Sequence, residues 1–152
     1  MSDIRVRSAR HDEAALLTEL SMNAKASWGY DEHFMELCRA ELTFTPENMT
    51  SRTIWVAEYV GEVAGLVALA GAGEDAELED LMVKPECQGR GVASALLAVV
   101  IGECRARGFK RIGVDADPNA EPIYKRLGFA TVGQSPSGSI PGRLLPRMER
   151  TI

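Results

Sequence analysis

The chain has 152 residues, of which 45% are hydrophobic and 26% charged, with 17 Lys and Arg against 22 Asp and Glu for a net charge of −5. That length suits one domain, large enough to enclose a sheet with covering helices, and the composition is that of a globular protein rather than a disordered or fibrous one. The acidic balance, with Lys and Arg scattered rather than gathered on one face, argues against nucleic acid as a partner.

Three cysteines (Cys38, Cys87 and Cys104) show no Cys-X-X-Cys or ligand-like spacing, so neither a disulfide framework nor a metal site is expected. Residues 1–10 hold no apolar segment, and no stretch approaches the roughly 18 apolar residues of a membrane span. The expectation is a single cytoplasmic domain over 1–152, without metal and without membrane contact.

In chain order, Ile4-Arg5-Val6-Arg7 alternates like a half-buried strand, and His11 or Asp12 opens a helix through Leu16, Leu17, Leu20 and Ala24. After the break at Trp28-Gly29-Tyr30, Asp31 is placed to cap a second helix through Phe34, Leu37, Cys38 and Leu42, which Pro46 ends. Residues 53–59 and 62–70 are rich in β-formers and flank Val60-Gly61, the pattern of an antiparallel hairpin. A third strand is expected over 76–83, after a turn at Gly71-Ala72-Gly73. Its apolar phase slips near Asp80, as a β-bulge would cause.

Leu96, Leu97, Val100, Ile101 and Cys104 then repeat at helical spacing from Ala93, and Gly108 supplies the stop. A strand follows over 111–116. Asn119 is expected to cap a short helix through Leu127, with Pro122 tolerated in its first turn. Strands at 129–133 and 143–148 close the chain across a Ser/Gly/Pro-rich loop, and Pro146 suggests an edge strand or a bulge.

Residues 78–97 carry the most chemical information. A strand runs through Pro85 into Gln88-Gly89-Arg90-Gly91-Val92-Ala93-Ser94 and directly onto the strongest helix. Glycines let backbone approach a charged ligand, and first-turn N–H groups without intrahelical partners sit at the positive end of the helix dipole. The Walker pattern fails because Val92-Ala93 follows Gly91 in place of Lys-Ser/Thr. The dinucleotide fingerprint fails for want of its third glycine, and because the preceding sheet reads as antiparallel.

Gln88-X-X-Gly91-X-Ala93, following Leu81-Met82-Val83-Lys84-Pro85, resembles the acetyl-CoA signature of the GNAT N-acetyltransferase superfamily. About 30 residues later, Asn119 to Phe129 with Tyr124 resembles that family's second segment, in the family's strand-helix-strand-helix order. The resemblance implies an α/β fold with a mixed, mostly antiparallel central sheet splayed at a β-bulge and flanked by about four helices. It further implies transfer of an acetyl group from acetyl-CoA to an amine acceptor by direct attack in a ternary complex. The rival readings are a non-catalytic acyl-CoA sensor and a protein lysine or N-terminal acetyltransferase. Homodimerisation is also implied by the family.

By the same resemblance, the backbone from Gln88 to Ser94 (Gln88, Gly89, Arg90, Gly91, Val92, Ala93, Ser94) holds the pyrophosphate. The strand carrying Leu81, Met82 and Val83 pairs with the pantetheine arm, with the Leu81 N–H polarising the thioester carbonyl, and Asn119 hydrogen-bonds the arm. Tyr124 protonates the departing thiolate. An alkylamine of pKa near 10 arrives protonated, so a base is needed, and Glu77 or Glu79, two residues apart on one strand, supplies it directly or through water. Asp80, like these two, also fits a solvated acidic face. Cys87 lacks a neighbouring His or Asp that would make it a nucleophile. Trp28, Tyr30, His33 and Phe34 are expected to wall an acceptor pocket with the loop over 135–142, and Arg105, Arg107, Lys110 and Arg111 lie where an adenosine 3′-phosphate could be met.

Overall fold

The computed structural model describes residues 3–152; Met1 and Ser2, the first residues of the expected domain, lie outside them. Among the described residues, seven strands form one sheet in the order β1-β2-β3-β4-β5-β7-β6, and only β4 and β5 run parallel. The first three ladders are antiparallel: β1 (Ile4–Ser8) pairs with β2 (Thr53–Tyr59), β2 with β3 (Glu62–Ala72), and β3 with β4 (Asp75–Val83). The β2–β3 hairpin turns through Val60 (φ 50°) and Gly61 (φ 84°), both left-handed, as a two-residue hairpin whose turn must follow the strand twist requires. The β3–β4 turn falls at Gly73-Glu74 rather than at Gly71-Ala72-Gly73, because β3 continues to Ala72.

Both faces of β3 are covered, which explains its unbroken apolar run from Ala64 to Leu69. On one face lies α4 (Val92–Ala106), whose Leu96, Leu97, Val100 and Cys104 pack on Val67, Leu69, Leu78 and Ile112. Each such fully buried Leu or Val side chain contributes about 1.5–3 kcal/mol relative to exposure. On the other face α1 (Ala14–Ala26) sets Leu17 and Leu20 against Val56, Leu66 and Ala68. A 3₁₀ turn, His11–Glu13, leads into α1. The second helix, α2 (Glu32–Leu42), is capped by Asp31 as expected and packs Met35, Cys38 and Leu42 into a satellite cluster with Met22 and Ile140.

Three local expectations are corrected. Pro46 does not merely end a helix: α2 stops at Leu42, and Pro46 is the first residue of α3 (Pro46–Ser51), capped by Thr45. This makes five α-helices among the described residues where about four were expected. Asn119 is not the cap before α5 (Glu121–Arg126). A 3₁₀ turn, Pro118–Ala120, intervenes, and the Asp117 carboxylate accepts from Asn119 N at 2.8 Å.

Pro146 lies on neither an edge nor a bulge. Its strand, β7 (Leu144–Thr151), is interior, between β5 (Arg111–Asp115) and the true edge strand β6 (Ala130–Pro136). The Pro146 carbonyl accepts from Ala116 N at 2.9 Å, just past the end of β5. A residue's N and C=O point to the same neighbour in an antiparallel ladder. The nitrogen that lacks a proton therefore faces the place where the β5 ladder has already run out.

The expected bulge sits at Glu79. Ala68 pairs with Asp80 and Leu69 with Leu78, leaving Glu79 as the extra residue on β4. Beyond it, β4 and β5 part: their parallel pairing ends at Leu78 and Val114.

Candidate active site

Where β4 and β5 separate they open a cleft of about 810 Å³. Lys84 N donates to Ala64 O at 2.8 Å, so alternation turns the backbone groups of Met82 and Asp80 toward β3 and those of Leu81 and Val83 toward the cleft. Unpaired backbone groups on a sheet interior need a partner, and an extended ligand arm can supply one. Met82 differs from its two neighbours: its backbone is engaged by β3, and its side chain packs among α1 and α2.

One end of the cleft is the start of α4. Gly89 (φ 77°) and Gly91 (φ 86°) are left-handed, and Gly91 is the N-cap with no side chain to cap the amides. The first intrahelical bond is Ala95 N to Gly91 O at 3.0 Å, which leaves the amides of Val92, Ala93 and Ser94 without intrahelical acceptors. Gln88, Gly89 and Gly91 through Ser94 line the cleft; Arg90 turns aside, its guanidinium 6.0 Å from the Tyr59 ring.

The middle of the cleft holds Tyr124. Its ring is buried edge-on against Phe129, and its hydroxyl has no hydrogen-bond partner among the described residues while still bordering the cleft. Burial, reinforced by the charges of Asp80 and Asp117, pushes its pKa well above that of an ordinary phenol.

Three carboxylates on β4 line the same space in different states. Both oxygens of Glu77 accept from Arg147 Nη1, at 2.7 and 2.6 Å. Glu79, at the bulge, is 41% exposed and stands 3.8 Å from Arg52. Asp80 is buried, its side chain 8% exposed, with Arg52 Nη1 donating to Oδ2 at 2.8 Å. Burial raises the Asp80 pKa to about 6, against the lowering effect of Arg52 and with the help of Glu79 and Glu41.

The far end is closed by a clasp. The Tyr30 hydroxyl donates to Asp117 (2.9 Å to Oδ2) and accepts from Asn119 Nδ2 (3.0 Å) and Arg143 Nη2 (2.5 Å), while Lys25 Nζ reaches Asp117 at 3.0 Å. Burial opposes the charge on Asp117, yet the Asn119 N–H and Lys25 hold its pKa below the usual carboxylate value. Phe34 stacks on Tyr30 with ring centroids 4.0 Å apart, and the Arg143 guanidinium lies over both rings.

Of the four aromatic and imidazole candidates for an acceptor pocket, Trp28 lines the cleft, Tyr30 and Phe34 build the clasp, and His33 is exposed outside it. Asn119 is exposed and lies between the cleft-lining Asp117 and Ala120 without being among the lining residues itself, its amide nitrogen shared between Tyr30 and Asp117. Sequence reasoning passed over Arg52, Glu41, Asp117 and Arg143. Only Asp117 carried a signal, since Asp before Pro favours the start of a turn.

The sheet parted at a bulge, with free helix-start amides at one end and a buried tyrosine beside it, has a counterpart among known families. The family model "Acetyltransferase (GNAT) domain" matches residues 14–149. The chain belongs to the GNAT acetyltransferase family. Serotonin N-acetyltransferase 2 of Oryza sativa subsp. japonica is 33% identical over 85 residues, 53% of this chain and 42% of that protein. The uncharacterized N-acetyltransferase YjgM of Escherichia coli (strain K12) is 34% identical over 82 residues, 49% of each. The chain thus spans about half or less of these GNAT relatives.

Among solved structures, the paiA N-acetyltransferase of Thermoplasma acidophilum in complex with coenzyme A superposes with a TM-score of 0.81 at 18% identity, covering 100% of both chains. A GCN5-related N-acetyltransferase from Kribbella flavida gives 0.69 at 25% identity, covering 99% of this chain and 98% of that one. The fold expectation of a mixed, mostly antiparallel sheet splayed at a bulge therefore holds. No group of three or more His, Cys, Asp or Glu able to hold a metal occurs among the described residues, and none of their helices is long and apolar enough to cross a membrane.

Proposed function

We propose that this GNAT chain transfers an acetyl group from acetyl-CoA to the nitrogen of an amine, working as a single domain. The observation that carries the reading is the parting of β4 and β5 beyond Leu78 and Val114, with unsatisfied amides at the start of α4 and Tyr124 along the same cleft. Residues on both sides fit coenzyme A. The amides of Val92, Ala93 and Ser94 suit a diphosphate at a helix N-terminus, and the glycines at 89 and 91 leave room for it. The free backbone groups of Leu81 and Val83 suit the amide-bearing pantetheine arm.

Bound acetyl-CoA supplies an acetyl thioester, an acyl group activated toward a neutral amine. The chain's own residues do the rest. The Leu81 N–H polarises the thioester carbonyl and meets the negative charge that develops on its oxygen, an interaction worth about 2–4 kcal/mol where the donor is well aimed. A carboxylate on β4 receives the ammonium proton, with Glu77 and Glu79 among those bordering the cleft. Tyr124, kept protonated by burial and by two nearby carboxylates, donates to the leaving sulfur. Asn119, its amide nitrogen already engaged, offers its remaining oxygen to an N–H of the arm. Trp28 and the clasp built on Tyr30 border the space left for the acceptor. The free thiols of Cys38, Cys87 and Cys104 support a reducing, cytoplasmic setting.

The test is free-thiol release from acetyl-CoA across a panel of alkylamines, amino acids and peptides. Amine-dependent release supports the reading, and the preferred class separates small-molecule from protein acceptors. Tight binding of coenzyme A without amine-dependent release would instead make the domain a sensor.

A further inference from the structure

We infer that Asp80, held by Arg52 beside the β4 bulge, is the group that directly takes the proton from the acceptor's ammonium, an inference that rests on the transferase reading above.

Glu77 has both oxygens engaged by Arg147 Nη1, so an approaching ammonium competes there with a guanidinium already in place. Glu79 is 41% exposed, so water competes with an ammonium for its oxygens. Asp80 combines the features the other two lack. Its side chain is only 8% exposed, yet it borders the cleft. Arg52 occupies Oδ2 at 2.8 Å, while Oδ1 has no hydrogen-bond partner among the described residues. Nor is that oxygen among the sealed, unsatisfied atoms, and the residue that carries it borders the cleft. An unmet acceptor on a buried carboxylate costs free energy unless a donor arrives, and an ammonium is such a donor.

The position is chemically apt. Asp80 precedes Leu81, whose N–H faces the cleft, so a nitrogen held at Oδ1 lies on the side of the bulge where the thioester carbonyl would be polarised. Arg52 reaches Asp80 from the end of α3 and is itself steadied by the Phe44 ring, 5.0 Å away. The charged and titratable groups facing Asp80 are Arg52 from α3, Glu79 on its own strand, Glu41 from α2 and the Tyr124 hydroxyl from α5. In the step itself, the ammonium N–H bond breaks and its proton goes to Asp80 Oδ1. The freed nitrogen lone pair forms the new bond to the acetyl carbon, the carbon–sulfur bond breaks, the sulfur takes the Tyr124 proton, and the nitrogen gives up its second proton to restore the tyrosine, while Asp80 later releases its own to solvent.

The experiment compares two acceptor kinds on wild type and Asp80→Asn: a panel of primary alkylamines, which arrive protonated at pH 7, and methoxyamine, which arrives neutral. A proton-accepting Asp80 predicts a loss of about 100-fold or more on the alkylamines and less than about 3-fold on methoxyamine. Wild-type kcat/KM on alkylamines should rise through about pH 6, and Arg52→Gln should move that rise to higher pH, because it removes the cation that favours the ionised carboxylate. The paired variant Asp80→Asn with Arg52→Gln leaves no unpaired buried charge and keeps the test valid if the single variant fails to fold. Equal losses on both acceptor kinds, or alkylamine turnover within about 3-fold of wild type, overturns the inference. No amine-dependent release from wild type at all brings down the transferase reading and this inference with it, an outcome distinct from the other two.

Discussion

Arg147 on β7 reaches across β5 to grip Glu77 on β4, and it does so through the space that a side chain on Gly113 would fill. Gly113 is the register partner of both Glu77 and Glu149, and a Cβ built there would collide with the Arg147 guanidinium and approach Glu77 Oε1 to 3.2 Å. The glycine thus lets an ion pair span three strands just before β4 and β5 separate. Gly113→Ala should displace Arg147, freeing a partly buried charge pair. We expect a loss of about 1–3 kcal/mol in unfolding free energy, measured by urea denaturation. Gly133→Ala, where no atom of the described residues lies within 4 Å of the new Cβ, is the control and should stay near wild type.

Tyr124→Phe tests the proton donor without disturbing the packing. The ring makes the contacts with Phe129, and the hydroxyl has no protein partner among the described residues, so its removal should leave the melting temperature unchanged or slightly raised. Loss of a general acid should lower kcat by about 10²-fold while the calorimetric affinity for coenzyme A stays within a factor of about 2. An unchanged kcat would leave the leaving sulfur without a role for this residue.

The contrast between these two sites explains what could be read from the residues alone. Tyr124 was singled out only by the resemblance of its segment to the GNAT family, whereas Gln88 to Ser94 were legible as a candidate anion site because a glycine loop opening a strongly periodic helix is a local pattern, and local spacing fixes which amides lack partners. The bulge was legible for the same reason, as a phase slip along one strand. The pairs that set the charge of the site were not legible: Arg147 lies 70 residues from Glu77 and Arg52 lies 28 from Asp80. No spacing rule links them, so Asp80 looked like any acidic strand residue until the fold buried it. The clasp is equally non-local, joining Tyr30 to Asp117 over 87 residues. The third helix escaped notice because six residues give no periodicity, and Pro46 read as a terminator when it occupied the first turn.

Gly91→Ala should separate strain from steric exclusion at the start of α4. Its φ of 86° suits glycine, and among the described residues the only atom near a new Cβ is Ile4 Cδ1 at 3.8 Å, so there is room but not the right backbone preference. An L-residue in this conformation costs about 1–2 kcal/mol. If the loop holds its shape, the melting temperature falls by a few degrees and coenzyme A still binds. If the loop relaxes to relieve the strain, stability recovers and affinity drops by about 10-fold or more, since the first-turn amides no longer converge. Thermal unfolding and calorimetry on the same variant distinguish the two, and no change in either would deny this glycine its role.

Two buried carboxylates give stability opposite dependences on pH. Glu13 accepts from Arg7 at 3.0 and 2.8 Å and from Arg10 N at 2.8 Å, and the Arg7 bond, more than offsetting burial, lowers its pKa from 4.5 to about 2. Its contribution, on the order of 3 kcal/mol, is present above pH 4.5 and disappears as pH falls toward 2. Asp80 behaves in reverse. With a folded pKa of about 6 against 3.8 unfolded, the native state binds the extra proton, so stability is greatest below pH 3.8 and declines by about 3 kcal/mol as pH rises to 6. Urea unfolding followed from pH 3 to 8 should therefore show an acid loss abolished in Glu13→Gln. It should also show a decline between about pH 4 and 6 that vanishes in the Asp80→Asn and Arg52→Gln pair. A decline that persists in that pair would place the titrating group elsewhere than Asp80.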